Sequence, residues 1–149
     1  MQIRPYLEAD EHAVVDLWHA CDLTRAWNNP HQDIARKLNV QRELFLVGEV
    51  EAGIVASVMA GFDGHRGWIN YLAVHPEFQR RRLGQRLMQA VEALLLDAGC
   101  PKINLQIRST NESAVGFYRS LGFAQDEVVS YGKRIIADTT ANGKPNTSA

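Results

Sequence analysis

The chain has 149 residues, 46% of them hydrophobic and 22% charged, with a formal net charge of −1 at pH 7. That length supports one domain with a sizeable core, and the near-neutral balance gives no global pull toward nucleic acid or an anionic membrane. No apolar run is long enough to span a bilayer and no signal-peptide pattern opens the chain, so a cytoplasmic protein is expected. Cys21 and Cys100 lack a metal-ligand spacing and read as small core residues, and no metal site is expected.

Gln2 to Leu7 reads as a short first strand, with Pro5 marking an edge or a strand end. Asp10 opens a helix in which Val14, Leu17, Trp18 and Cys21 share one face. Asn29-Pro30 has the form of an N-cap followed by proline in the first turn, so a second helix should run to about Val40. Between the helices, Asp22 to Asn29 brings together Asp, Arg, Trp and Asn, either as a binding loop or as a connection plugged by Trp27.

Leu44 to Val50 and Ile54 to Phe62 are strands joined by the turn at Glu51-Ala52-Gly53. A second turn, Asp63 to Gly67, leads into a strand that ends at Val74. After a short loop, Leu83, Leu87, Val91, Leu94 and Ala98 recur at helical spacing, with Gly99 as a left-handed cap and Pro101 beyond it. Lys102 to Arg108 is the next strand, parallel to its predecessor because a helix crosses between them. Asn111 caps a helix carrying Ala114, Phe117, Tyr118 and Leu121 on one face. Phe123 to Val129 and Tyr131 to Ile136 should form a closing hairpin, and the polar composition from Ala137 onward predicts a disordered tail, residues 137–149. The domain is therefore expected to cover residues 1–136, as a mixed α/β sheet of about seven strands with helices on both faces.

One cluster is out of place for stability. Arg80, Arg81, Arg82 and Arg86 sit at or just before a helix N-terminus, where cations are unfavourable. Either this is a solvated basic turn or an anion docks there, since helix N-termini with a nearby glycine are ready phosphate sites.

The segment Leu72-Ala73-Val74-His75-Pro76, followed by Gln79-Arg80-x-x-Leu83-Gly84, resembles motif A of the GNAT superfamily of N-acetyltransferases. Asn111-x-x-Ala114-x-x-Phe117-Tyr118-x-x-x-Gly122-Phe123 resembles motif B. The chain is also similar to the bacterial YpeA-type acetyltransferases at Cys21-Asp22-Leu23, Trp27-Asn28, Asp63 to Gly67 and Gly132-Lys133-Arg134. The resemblance implies a GNAT fold and acetyl-coenzyme A as co-substrate. It also implies an amine acceptor, either a small molecule or a protein or peptide, attacked directly in a ternary complex. A homodimer is compatible with it; nucleic acid and membrane partners are not expected.

The same resemblance assigns the coenzyme site to Leu72, Ala73, Val74, Gln79, Arg80, Arg81, Arg82, Leu83, Gly84, Gln85, Asn111 and Tyr118. The backbone of Leu72 to Val74 would hold the pantetheine arm and polarise the thioester. The loop from Arg80 to Gln85 would hold the phosphates. Tyr118 would be the general acid for the leaving thiolate, the competing reading being a core tyrosine. Two departures stand out. Arg82 occupies the position of a motif glycine, and Gln106 replaces a glutamate that serves relatives acting on protein N-termini. Asp33, His31, His65 and Glu112 remain candidate bases. The alternative function is a coenzyme A-binding module of the same fold without turnover.

Overall fold

The computed structural model describes residues 1–140 and 144. Five strands form one sheet: β1 (Gln2–Pro5), β2 (Phe45–Val50), β3 (Gly53–Phe62), β4 (Gly67–Val74) and β5 (Ile103–Leu105), in that spatial order. Strands β1 to β4 pair antiparallel, and β4 pairs with β5 in parallel. Four helices complete the fold: α1 (Glu11–Ala20), α2 (Pro30–Lys37), α3 (Leu83–Asp97) and α4 (Glu112–Ser120).

Side-chain alternation along the strands sorts the core into two layers. Phe45, Val47 and Met59 point to the side covered by α1 and α2, where they meet Val14, Leu17, Trp18 and Ile34. Leu46, Ala56, Val58 and Ala60 point to the other side, against Leu87, Met88, Val91 and Leu95 of α3. Tyr118 of α4 and Leu121 at its C-terminal end pack on that second layer. The helices lie on both faces, as the element order predicts.

The sheet has five strands among the described residues rather than about seven. The expected hairpin over 123–136 forms no strand. Its neighbour explains this: β5 spans three residues rather than the expected Lys102 to Arg108, so its free edge offers few ladder hydrogen bonds against the entropy of ordering two more strands. The segment is fastened by side chains instead. Lys102 pairs with Asp126 at 2.9 Å, Gln106 bonds Ser130, and Arg134 donates to Asn28 Oδ1 at 2.7 Å. Val128, Val129, Tyr131, Ile135 and Ile136 are left exposed.

The beginning of the expected tail is also anchored. Asp138 is only 2% exposed, accepting from the backbone N–H of Asn29 at 2.7 Å and pairing with Arg36 at 3.0 Å. Burial alone would raise its pKa, but the Arg36 guanidinium and the Asn29 N–H outweigh that and hold it below the ordinary carboxylate value. Composition misses this because the anchor is a single buried carboxylate in a polar stretch. The remainder of the expected tail, residues 141–143 and 145–149, lies outside the described residues.

Candidate active site

Strand β4 meets β5 only from Gly67 to Ile69, so from Asn70 onward its outer edge has no strand beside it among the described residues. The same stretch is irregular on its other edge. Ser57 faces Ala73 and Met59 faces Asn70, so Val58 alone opposes both Tyr71 and Leu72. This is a β-bulge, and Tyr71 carries its strain with φ +51°. A bulky residue in the left-handed region costs about 1–3 kcal/mol and persists only where its surroundings impose it.

Those surroundings are specific. The Tyr71 ring stacks on Trp18 with centroids 3.7 Å apart. Trp18 Nε1 donates to Ser57 Oγ at 2.9 Å, and Ser57 Oγ donates to the Tyr71 carbonyl at 2.9 Å. At the far end of the ring, the Tyr71 hydroxyl donates to Asp33 at 2.6 Å. Burial, then the Asp33 bond, pushes the Tyr71 phenol well above its usual pKa, so it stays a donor. Asp33 also accepts from Arg36 at 2.7 Å, and Arg36 pairs with Asp138. A chain of contacts thus runs from the buried core of α1, through the bulge, to the anchored C-terminal segment. Sequence reading placed Trp18 in the core but gave Tyr71 and Ser57 no role. The one signal was Ser57, a serine inside the apolar run Val55 to Met59.

Two clefts open along this edge. The first, of about 580 Å³, lies where β4 and the N-terminus of α3 approach α4. Leu72, Val74, Gln79, Arg80, Arg82, Leu83, Gly84, Gln85 and Tyr118 line it. Arg82 is the N-cap of α3 and adopts φ +59°; Arg80 has φ +64°. The arginine at the glycine position is therefore accommodated by the left-handed conformation that glycine takes freely, at a backbone cost. The first turn of α3 has no acidic residue to offset the helix dipole, so the cleft end combines orphan N–H groups with two guanidinium groups. Gly84 is needed for contact: a Cβ there would lie 3.2 Å from the Phe117 ring.

The remaining predicted coenzyme residues are placed differently. The Ala73 side chain is buried in the layer beneath α1 and α2 and faces away from the cleft, while the role expected of Ala73 is a backbone one that does not depend on that side chain. Arg81 lies over the Phe78 ring at 5.1 Å and does not line the cleft. The Val74 carbonyl accepts from Gln79 Nε2 at 3.1 Å and from the Cys21 thiol at 3.3 Å, so the strand end is tied to the loop that follows it. Asn111 acts as the α4 cap, its Oδ1 accepting from Ala114 N at 3.1 Å, and it lines the second cleft.

That second cleft, of about 890 Å³, is bounded by the loop after α1, by α2, by the bulge and by the chain beyond β5. Leu72 and Tyr118 line both clefts. Tyr118 is held edge-on by Phe117 and Phe123, with centroids 5.1 and 5.6 Å away. Burial pushes its phenol up to about 12, so the hydroxyl keeps its proton at neutral pH. A protonated donor at the junction of a basic cleft and an open pocket can serve an anionic leaving group.

The candidate bases separate by position. His65 lies in the turn before β4, where Asp63 Oδ1 accepts from the N–H groups of His65 and Arg66 at 2.8 Å each. Those bonds hold Asp63 below the ordinary carboxylate range. An eight-residue strand separates that turn from Val74, about 25 Å at roughly 3.3 Å per residue. His31 sits 3.5 Å from Glu11 and lines neither cleft, nor does Glu112. Only Asp33 faces the second cleft, where it is engaged by Tyr71 and Arg36. Gln106 lines the same cleft.

A bulged strand, an arginine-bearing loop capping a helix N-terminus and a half-buried tyrosine between two clefts stand together at this edge of the sheet. The chain belongs to the acetyltransferase (GNAT) family, whose profile matches residues 11–123. It is 46% identical over 138 residues to an acetyltransferase of Yersinia enterocolitica, covering 93% of this chain and 98% of that one. Among solved structures it is similar to Ard1 from Thermoplasma volcanium, with a TM-score of 0.75 at 24% identity over 83% of this chain and 82% of that one. It is also similar to the aminoglycoside 6′-N-acetyltransferase AAC(6′)-IG from Acinetobacter haemolyticus, with a TM-score of 0.70 at 19% identity over 91% and 99% of the two chains. At those identities the two structures show the shared fold alone.

Proposed function

We propose that the protein is an acetyl-coenzyme A-dependent N-acetyltransferase acting on a primary amine. The observation that carries this reading is the position of Tyr118 between the two clefts. The first cleft fits the coenzyme, because the α3 N-terminus, Arg80, Arg82 and Gly84 form an anion site beside an open strand edge. Leu72 and Val74 would flank the pantetheine arm, and Arg80, Arg82 and Gln85 the phosphates. Bound acetyl-coenzyme A supplies the activated acyl group. The amine nitrogen enters from the second cleft and forms the new bond to the acetyl carbon as the bond to sulfur breaks. Tyr118 delivers its proton to the departing sulfur, and the proton shed by the amine nitrogen passes to water, from which the Tyr118 phenolate regains its own. The rigid bulge keeps neighbouring backbone donors fixed before charge develops, which is where such donors contribute most.

Calorimetric titration with acetyl-coenzyme A, free coenzyme A and the Arg80→Ala variant tests the first cleft. Micromolar binding is expected, weakened about tenfold in the variant, the order of one charge-assisted hydrogen bond at a partly exposed site. No binding to the intact protein would overturn the reading. Arg82→Gly is expected to act in two directions. Relief of the left-handed strain should raise stability by about 1 kcal/mol in urea denaturation. Loss of the guanidinium should weaken coenzyme binding about three- to tenfold. Binding unchanged in Arg82→Gly would remove Arg82 from the phosphate site.

A further inference from the structure

We infer that the acceptor carries an anionic group, a carboxylate or a phosphate, that docks on Arg108 and Arg25 in the second cleft while its amine faces Tyr118. The inference rests on the acetyltransferase reading and adds the substrate class to it.

The argument starts from the charges on the cleft wall. Four cationic side chains line it, Arg25, Arg36, Lys37 and Arg108, against two carboxylates, Asp22 and Asp33. Both acids are committed. Asp33 accepts from the Tyr71 hydroxyl and from Arg36. Asp22 turns to solvent, with its side chain 96% exposed and 3.7 Å from Arg25. Two of the cations are also committed. Arg36 is clasped between Asp33 and Asp138, and Lys37 is buried with its ammonium on the Ala60 carbonyl.

Arg25 and Arg108 remain. Arg25 spends only its Nη1, on the carbonyls of Asp22 and Thr24 and beside the Asp22 carboxylate, and its Nη2 and Nε make no hydrogen bond among the described residues. Arg108 has no carboxylate partner among the described residues and is held over the Trp27 ring at 5.7 Å. Stacking on an aromatic face leaves the N–H fork of a guanidinium available, and that fork matches the two oxygens of a carboxylate or phosphate. Arg25 has one solvent-exposed carboxylate beside it and Arg108 has none among the described residues, so the pocket holds more guanidinium than it pairs, and an anionic acceptor supplies the missing partner. A polycationic acceptor would meet net positive walls instead.

The test measures thiol release with matched amine pairs: α-amino acids against their amides, and aminoalkyl phosphates against the corresponding amino alcohols. The amide members have the less basic amine and so more free base at neutral pH. Solution chemistry therefore works against a preference for the acid. The expected result is a kcat/KM at least about tenfold higher for the anionic member of each pair that turns over. Amino acids outranking aminoalkyl phosphates would identify the carboxylate; the reverse order would identify the phosphate. Arg108→Gln should reduce the preference to about threefold or less by raising KM, and Arg108→Lys should restore part of it. Coenzyme affinity should stay unchanged in both.

A second readout needs no turnover. With coenzyme A saturating, acetate and inorganic phosphate are titrated while the Trp27 indole resonance is followed, in the intact protein and in Arg108→Gln. A saturable shift in the intact protein that is lost in the variant supports the proposal. Preference for the neutral or cationic member, an unchanged preference in Arg108→Gln, or no anion binding to the coenzyme-loaded protein overturns it. Coenzyme binding measured in the same samples keeps the acetyltransferase reading separate: if it persists while anion binding is absent, only the acceptor class fails.

Discussion

Replacing Tyr118 by phenylalanine should lower kcat by about 10²- to 10⁴-fold, the usual range for a lost proton donor, and leave the acetyl-coenzyme A Kd within about a factor of two. The phenyl ring keeps the contacts with Phe117 and Phe123, so the fold is not expected to suffer. Thiol release measured beside calorimetric binding separates the two quantities. A kcat loss under fivefold would make Tyr118 a packing residue and leave the leaving thiolate to solvent.

The pH behaviour follows from the direction of the shift. Burial favours the neutral phenol, raising it from an ordinary 10 to about 12. The donor is thus intact throughout the neutral and mildly alkaline range. With rising pH, kcat/KM should climb as the amine loses its proton and should show no descending limb from Tyr118 below about pH 10. The linked stability term has the same sign: it is fully present below pH 10 and is lost as pH rises toward 12.

Trp18→Ala should cost about 3–5 kcal/mol of stability, a large share of what a domain of this size possesses. Trp18 is fully buried, stacks on Tyr71 and bonds Ser57, so its removal leaves a cavity and frees the bulge together. Because that variant risks not folding, Trp18→Phe is the more informative partner. It retains an aromatic face for Tyr71 and loses the indole N–H. A cost of about 1–2 kcal/mol is expected in urea denaturation, with a fall in kcat at an unchanged coenzyme Kd. Equal kcat in the two proteins would mean that the bulge keeps its shape without the Trp18 bond to Ser57.

Much of the fold was legible because it rests on local signals. The helical spacing from Leu83 to Val91, the Asn29-Pro30 start and the Asn111 cap each reappear where the pattern put them, whereas Leu94 is exposed and Leu95 takes its place in the core. The antiparallel strands followed from alternation and from turns at Gly53 and Gly64. The closing hairpin failed because β-forming residues such as Val128, Val129 and Ile135 need an edge to pair with, and β5 offers three residues. The length of a neighbouring strand is a tertiary property. The arginines of the loop before α3 stood out in the sequence, and Arg80 and Arg82 line the first cleft. The bulge at Tyr71 was not, since a tyrosine at φ +51° is imposed by Trp18, Ser57 and Asp33, which lie 53, 14 and 38 positions away in sequence. The position of Arg81 over the Phe78 ring depends on which way its side chain turns, and a motif states only which residue is present.

The link between Asn29 and Asp138, 109 positions apart, gives the two clefts different histories during synthesis. Every residue lining the first cleft has been translated once Leu121 is added. The second cleft has all its lining residues at the same point, yet α2 then lacks the carboxylate that steadies Arg36 and, through it, Asp33 and Tyr71. A nascent chain can therefore have the first cleft's residues in place while the second cleft gains its Asp138 anchor only when that stretch emerges and docks.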